Sequence, residues 1–155
     1  MTALLLDASV WLAALDTDDA EHAAAQAILR AAERDGLALA ALDLTLYEVA
    51  NVATVRWRAP QDARRLAELI AAACPDTLER VDPRTLAAAA KLAAERGLTV
   101  YDAAYVEAAR RRGWTLVSCD LRDLVRPGHA LAPGAASSSR AEHGHLPRAS
   151  PRDHP

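Results

Sequence analysis

Short apolar runs alternate along this chain with longer segments whose apolar residues recur at helical spacing. Residues 3–6, Ala-Leu-Leu-Leu, are continuously apolar and stop at Asp7, which predicts a strand buried on both faces. Residues 37–42 and 114–118 read the same way, and 78–81 is a brief strand ended by Asp82-Pro83. Ser9 is placed to cap a short helix over 10–15, and Asp18 or Asp19 to open a longer one through Arg34 that Gly36 ends, since a left-handed turn costs least at glycine. Thr45 with Glu48, and Thr99 with Asp102, have the spacing of capping boxes. The first opens a helix on which Leu46, Val49, Ala50, Ala53 and Trp57 share a side and which stops before Pro60. The second opens a helix through Arg112 that Gly113 ends. Residues 61–73, and the stretch from Pro83 to Arg96 with Gly97 as its stop, supply two further helices, and 129–132 a possible fifth, edge strand. Strands separated by helices of ten or more residues need crossover connections, so the pattern predicts an α/β sandwich with a parallel sheet between helical layers.

Composition narrows this to one globular unit. Of the 155 residues 52% are hydrophobic and 25% charged, enough to bury a core. From Pro133 the chain turns to Pro, Gly, Ser, Ala, Arg and His without periodicity. The expectation is therefore a domain over 1–132 and a flexible tail over 133–155 whose His143, His145 and His154 are solvated. No charge-free apolar stretch approaches the roughly 18–20 residues of a membrane span. The first basic side chain is Arg30, so the opening residues lack the positive start of a secretory signal and a cytoplasmic protein is expected. Cys74 and Cys119 lack the close pairing of a zinc site and read as reduced structural thiols. The net charge of −3 gives no bulk attraction for nucleic acid, so any such binding must rest on a local site.

In an open parallel sheet the ligand crevice lies beyond the carboxyl ends of the strands. The residues expected there are acids: Asp7 after the first strand, Glu48 in the first turn of the helix after the second, Asp102 in the first turn of the helix before the fourth, and Asp120 just beyond the fourth. Asp43 follows the second strand directly and competes with Glu48. Two carboxylates about 4 Å apart repel by roughly 4 kcal/mol at an effective dielectric near 20. Four gathered together therefore call for a counter-cation, and the hard ions Mg²⁺ and Mn²⁺ suit carboxylate and water oxygens. Taken singly, each acid has a plainer role as cap, turn residue or helix-dipole partner.

Around these acids the local sequence resembles that of PIN-domain ribonucleases of the VapC toxin type. The resemblance rests on Leu-Leu-Asp7-Ala-Ser9, Leu-Tyr-Glu48-Val-Ala-Asn51-Val, Tyr-Asp102-Ala-Ala-Tyr-Val-Glu-Ala-Ala and Leu-Val-Ser118-Cys-Asp120, in that order over residues 3–132. It implies a PIN-like three-layer sandwich with a four- to five-stranded parallel sheet, Mg²⁺ or Mn²⁺ at the acidic cluster, and endonucleolytic cleavage of RNA. It also implies homodimerisation and inhibition by a small antitoxin protein. Asp7, Glu48, Asp102 and Asp120 match the family's catalytic, metal-binding acids, and Ser9 and Ser118 the hydroxyl positions that brace them. Asn51 belongs to the second motif. At the fourth site members vary, so Asp123 stands as a secondary candidate beside Asp120.

Two other functions compete. A PIN-like fold without cleavage would serve as a binding scaffold, and an aspartyl phosphotransferase would use Asp7 as acceptor. The second needs a lysine after a late strand, whereas the only lysine, Lys91, falls inside an Ala-rich helix. Arg56-Trp57-Arg58 and Arg110-Arg111-Arg112 with Trp114 pair cations with aromatics in the manner of nucleic-acid contacts. Their places near helix C-termini give them a plainer role as dipole partners.

Overall fold

The computed structural model describes residues 3–141. Strands β1 (Leu4–Leu6), β2 (Leu39–Leu42), β3 (Leu78–Glu79) and β4 (Thr115–Val117) form one parallel sheet in the order β3-β2-β1-β4. On central β1, Leu4 aligns with Leu39 and Thr115, and Leu5 with Ala40 and Leu116. Successive strand residues point to opposite faces. Leu4, Leu6, Leu39, Ala41 and Val117 accordingly join one apolar cluster, while Leu5, Ala40, Leu42 and Leu116 join another.

The first cluster is closed by α1 (Ala8–Leu15), α2 (His22–Asp35), α3 (Asp43–Asn51) and α4 (Pro60–Ala73). The second is closed by α5 (Pro83–Arg96) and α6 (Val100–Arg112), which pack against each other. Helix α6 buries its alanines at 103, 104, 108 and 109, and such small side chains let helices approach closely. The result is the expected three-layer sandwich.

The connectivity locates the crevice. The chain steps from β1 to β2 to β3 on one side, and then returns to place β4 on the other side of β1. That reversal creates a topological switch point between β1 and β4, where an α/β sheet opens a cleft at its carboxyl edge. Asp7 and residues 118–120 lie at this edge.

Several local expectations are corrected. Helix α1 starts at Ala8 and its cap is Asp7, whose carboxylate accepts from the Val10 amide, whereas Ser9 lies within the first turn. Helix α3 starts at Asp43, directly after β2, with Leu42 as its N-terminal flanking residue. Thr45 is thus the third helical residue and reaches back to accept the Leu42 amide at 3.2 Å. Glu48 consequently stands in the second turn of the helix. A wider π-helical turn over Val52–Arg56 then continues α3. At Thr99 the capping arrangement forms: its Oγ1 accepts from the Asp102 amide at 3.1 Å and donates to Asp102 Oδ2 at 2.6 Å.

At the β4 edge, residues 129–132 contribute a single parallel bridge, Leu131 with Val117, in place of a full strand. The segment from Pro133 opens with helix α7 (Pro133–Ala141), which packs on α2 and buries Ala136. Ala and Ser give that helix too little hydrophobic contrast to stand out as a periodic pattern. The three histidines expected in the tail lie outside the described residues. No helix among the described residues is long and apolar enough to cross a membrane.

Candidate active site

Asp7 is fixed from both sides of the switch point. Its backbone amide donates to Val117 O on β4 at 3.2 Å, and its buried carboxylate accepts from Ser9 Oγ at 2.5 Å and from the Val10 amide at 3.3 Å. Ser9 Oγ in turn accepts the Cys119 amide at 2.9 Å, and Ser118 Oγ accepts the Asp120 amide at 2.9 Å. The loop after β4 is therefore laced onto the loop after β1. Burial pushes the Asp7 carboxyl above its ordinary value, and hydrogen bonding from Ser118, Ser9 and Val10 offsets part of that cost.

Glu48 enters from α3. Its Oε2 accepts the Tyr105 hydroxyl at 2.5 Å, and Tyr105 sits on α6 three residues beyond Asp102. Burial raises the Glu48 carboxyl, the Tyr105 bond lowers it, and the negative charges of Asp7 and Asp102 raise it again. Glu48 thus feels the charges of two acids carried by other segments. Tyr105 is itself buried, and its phenol is pushed well above its ordinary value, first by burial and then by the Glu48 charge.

The remaining candidates separate by their partners. Asp120 caps the π-helical turn Leu121–Val125, with Oδ1 accepting the Arg122 and Asp123 amides at 3.0 and 2.9 Å. It is tied to Asp7 through Ser118 and the neighbouring Cys119–Ser9 bond. Asp123 accepts on both oxygens from Nε and Nη2 of Arg122 at 2.8 and 2.7 Å, which holds its carboxyl below the ordinary value. Asp43 accepts the Val81 amide at 3.1 Å, a bond that fastens the chain leaving β3. Asn51 is exposed, and no side-chain hydrogen bond holds it to the acids.

A common device holds the coupled acids. Asp7 receives a hydroxyl proton from Ser9, Glu48 from Tyr105 and Asp102 from Thr99. At Asp7 and Glu48 these bonds offset part of the cost of burial. Tyr105 and Thr45 are the site residues that motif reading missed. The available signal was the three-residue step from Asp102 to Tyr105, which puts both on one face of a helix.

The donor set fits a hard divalent cation: oxygen ligands, partly desolvated, with mutual repulsion that a positive ion would relieve. Among the described residues no three His, Cys, Asp or Glu side chains form a ready-made metal cage. Mg²⁺ does not require one, because it keeps several waters and takes one or two carboxylates plus substrate phosphates. The rival phosphotransfer site lacks its lysine, since Lys91 pairs with Glu95 on α5 at 3.9 Å. The basic cluster at the end of α6 is committed elsewhere. Arg111 and Arg112 both bind Glu79, Arg110 binds Glu107, and Arg112 lies over the Trp114 ring at 5.6 Å.

A parallel sheet with this strand order, carrying acids from separate segments at its switch point, defines a class of α/β protein with an acidic crevice. The PIN-domain family model matches residues 4–128, and the chain belongs to that family. Among solved structures, PAE2754 from Pyrobaculum aerophilum shares 26% identity over 91% of this chain and 98% of its own, with a TM-score of 0.65. VapC20 of Mycobacterium tuberculosis, a sarcin–ricin loop cleaving toxin, superposes with a TM-score of 0.66 at 18% identity, covering 81% of this chain and 95% of its own. A toxin–antitoxin complex from Klebsiella pneumoniae gives 0.60 at 14% identity, covering 84% of this chain and 98% of that one. No curated protein matches the chain by sequence.

Proposed function

We propose that this protein is a divalent-metal-dependent endoribonuclease and the toxin of a toxin–antitoxin pair. The observation that carries the reading is geometric: Asp7 and Asp120 follow the adjacent strands β1 and β4 and are laced together through Ser9, while Glu48 is bonded to Tyr105 on the helix that bears Asp102. Acids that served only as caps would gain nothing from one another's repulsion. Family membership supports nuclease chemistry, and the toxin and toxin–antitoxin neighbours support an antitoxin partner. The family resemblance adds a homodimer.

Asp7, Glu48 and Asp102, with Asp120 beside them, would hold Mg²⁺ or Mn²⁺. Such an ion, when bound, supplies an activated water and stabilises charge on the phosphate in flight. The chain's own contribution is orientation. Ser9, Tyr105 and Thr99 hold the carboxylates in place by hydrogen bonds, and the bonds from the β4 loop to Ser9 and Ser118 keep Asp7 and Asp120 in one frame. Covalent catalysis has no support here. His22 donates through Nδ1 to the Ala13 carbonyl at 2.9 Å, and burial pushes the Cys119 thiol up to about 11.

The test is incubation of the purified protein with total RNA, with and without Mg²⁺ and with a chelator control. Cleavage is expected only with the ion, and Asp7→Asn or Asp102→Asn should each lower the rate by about 100-fold, the equivalent of roughly 3 kcal/mol in the barrier. Wild-type rates in both variants would overturn the nuclease reading. Failure of the unaltered protein to bind Mn²⁺ at all would favour a non-catalytic PIN scaffold.

A further inference from the structure

A buried chain of hydrogen bonds joins the end of β2 to the acid site. The Leu42 amide donates to Thr45 Oγ1 at 3.2 Å, the Thr45 and Tyr105 hydroxyls lie 2.8 Å apart, and the Tyr105 hydroxyl donates to Glu48 Oε2 at 2.5 Å. Thr45 is fully buried and Tyr105 is 2% exposed, so water does not compete for the first two bonds, while the third ends on the half-buried Glu48. Proton counting fixes the direction. Tyr105 has one proton and gives it to Glu48, so its oxygen accepts from Thr45, whose own oxygen accepts from Leu42. This polarity ends on an ionised carboxylate.

The arrangement also links two acids. Tyr105 stands one helical turn beyond Asp102 on α6 and reaches across to Glu48 on α3. One turn of helix and one hydrogen bond therefore set where Glu48 lies relative to Asp102. Glu48 Oε1 accepts no hydrogen bond from the described residues. Packing alone does not account for the phenol, because phenylalanine would fill the same core position without burying a hydroxyl.

We propose that Thr45 and Tyr105 form a positioning relay that fixes the Glu48 carboxylate in the geometry needed to ligate a divalent cation. The proposal rests on the metal-dependent nuclease reading and adds to it two residues outside the acid set. Neither residue is a ligand or touches substrate. Their effect reaches the ion through Glu48, as partners of metal ligands commonly do.

The test uses the full chain, freed of metal, with Mn²⁺ binding followed by calorimetry and RNA cleavage followed separately. Tyr105→Phe is expected to weaken Mn²⁺ binding by about 10- to 100-fold. At saturating Mn²⁺ it should lower kcat while leaving KM for RNA within about twofold, the mark of a group that acts on the reacting geometry and not on substrate affinity. Thr45→Ser, which keeps the hydroxyl, should bind Mn²⁺ within about twofold of the unaltered protein, and Thr45→Val should bind it more weakly. Unchanged Mn²⁺ affinity in Tyr105→Phe overturns the relay. Should that variant fail to fold, equal affinities in Thr45→Ser and Thr45→Val overturn it instead. An unaltered protein that neither binds Mn²⁺ nor cuts RNA overturns the nuclease reading itself, a result distinct from variants that behave like a working parent.

Discussion

Ser9 donates its hydroxyl proton to Asp7 Oδ1 at 2.5 Å and accepts the Cys119 amide proton at 2.9 Å, so one small side chain joins the acid after β1 to the loop after β4. Ser9→Ala removes both bonds and leaves a half-buried amide without its partner. Loss of about 1–3 kcal/mol of stability is expected from the unsatisfied group, measurable by urea unfolding. Ser9→Thr keeps the hydroxyl and should recover most of that loss.

Stability of the metal-free protein should fall as pH rises through the range where Asp7 and Glu48 ionise. Both carboxyls are raised above their ordinary values of 3.8 and 4.5, chiefly by burial. The folded protein therefore binds these protons more tightly than the unfolded chain does. Each group favours the fold fully below its unfolded value and loses that contribution as pH climbs through the raised folded value. Asp7→Asn retains an acceptor for Ser9 and Val10 without the buried charge. Its melting temperature should exceed that of the unaltered protein at neutral pH, with the gap closing toward about pH 3. Parallel melting curves offset equally at every pH would contradict this.

Divalent ions should reverse that penalty. An ion that binds the folded site at a concentration about 100 times its Kd stabilises by roughly 2.7 kcal/mol. Mn²⁺ is expected to raise the melting temperature of the unaltered protein at neutral pH and to do so much less in Asp7→Asn and Asp102→Asn. An equal shift in all three proteins would place the ion elsewhere.

The three longer strands and the acids beside them were legible in the sequence for one reason: β1, β2 and β4 are largely apolar runs that end at polar residues. β1 ends at Asp7 and β4 leads to Asp120, so the pattern that fixed the sheet also fixed two candidate ligands. Helix starts were less legible. Asp43 opens α3 without an intervening turn, and a Thr-x-x-Glu spacing fits equally well one turn inside a helix, where Thr45 accepts the Leu42 amide. Tyr105 was hidden by its neighbours, because an aromatic among alanines reads as core. It is core, and only its hydroxyl, placed by the crossing of α6 past α3, gives it a second role.

Away from the crevice, Glu79 at the end of β3 holds both Arg111 and Arg112 from the C-terminal turn of α6. Glu79 is nearly buried, while its partners are 39% and 50% exposed, so solvent screens much of the attraction. Glu79→Gln should cost about 1 kcal/mol in urea unfolding and leave RNA cleavage unchanged within about twofold, because no acid of the site depends on it.

Asp120 and Asp123 should part company in cleavage assays. Asp120 spends Oδ1 on two backbone amides, and no described group bonds its Oδ2. Asp123 spends both oxygens on Arg122. A carboxylate already paired on both oxygens with a guanidinium must break that pair before it can ligate an ion, whereas Asp120 can keep its cap and offer its second oxygen. Asp120→Asn preserves the amide cap and removes the charge, so a rate loss of about 10-fold or more is expected with little change in melting temperature. Asp123→Asn should cut RNA within about twofold of the unaltered rate, because the pair it loses is exposed and screened by solvent. The reverse ranking would move the fourth acid of the site to position 123 and require Arg122 to release it when the ion binds.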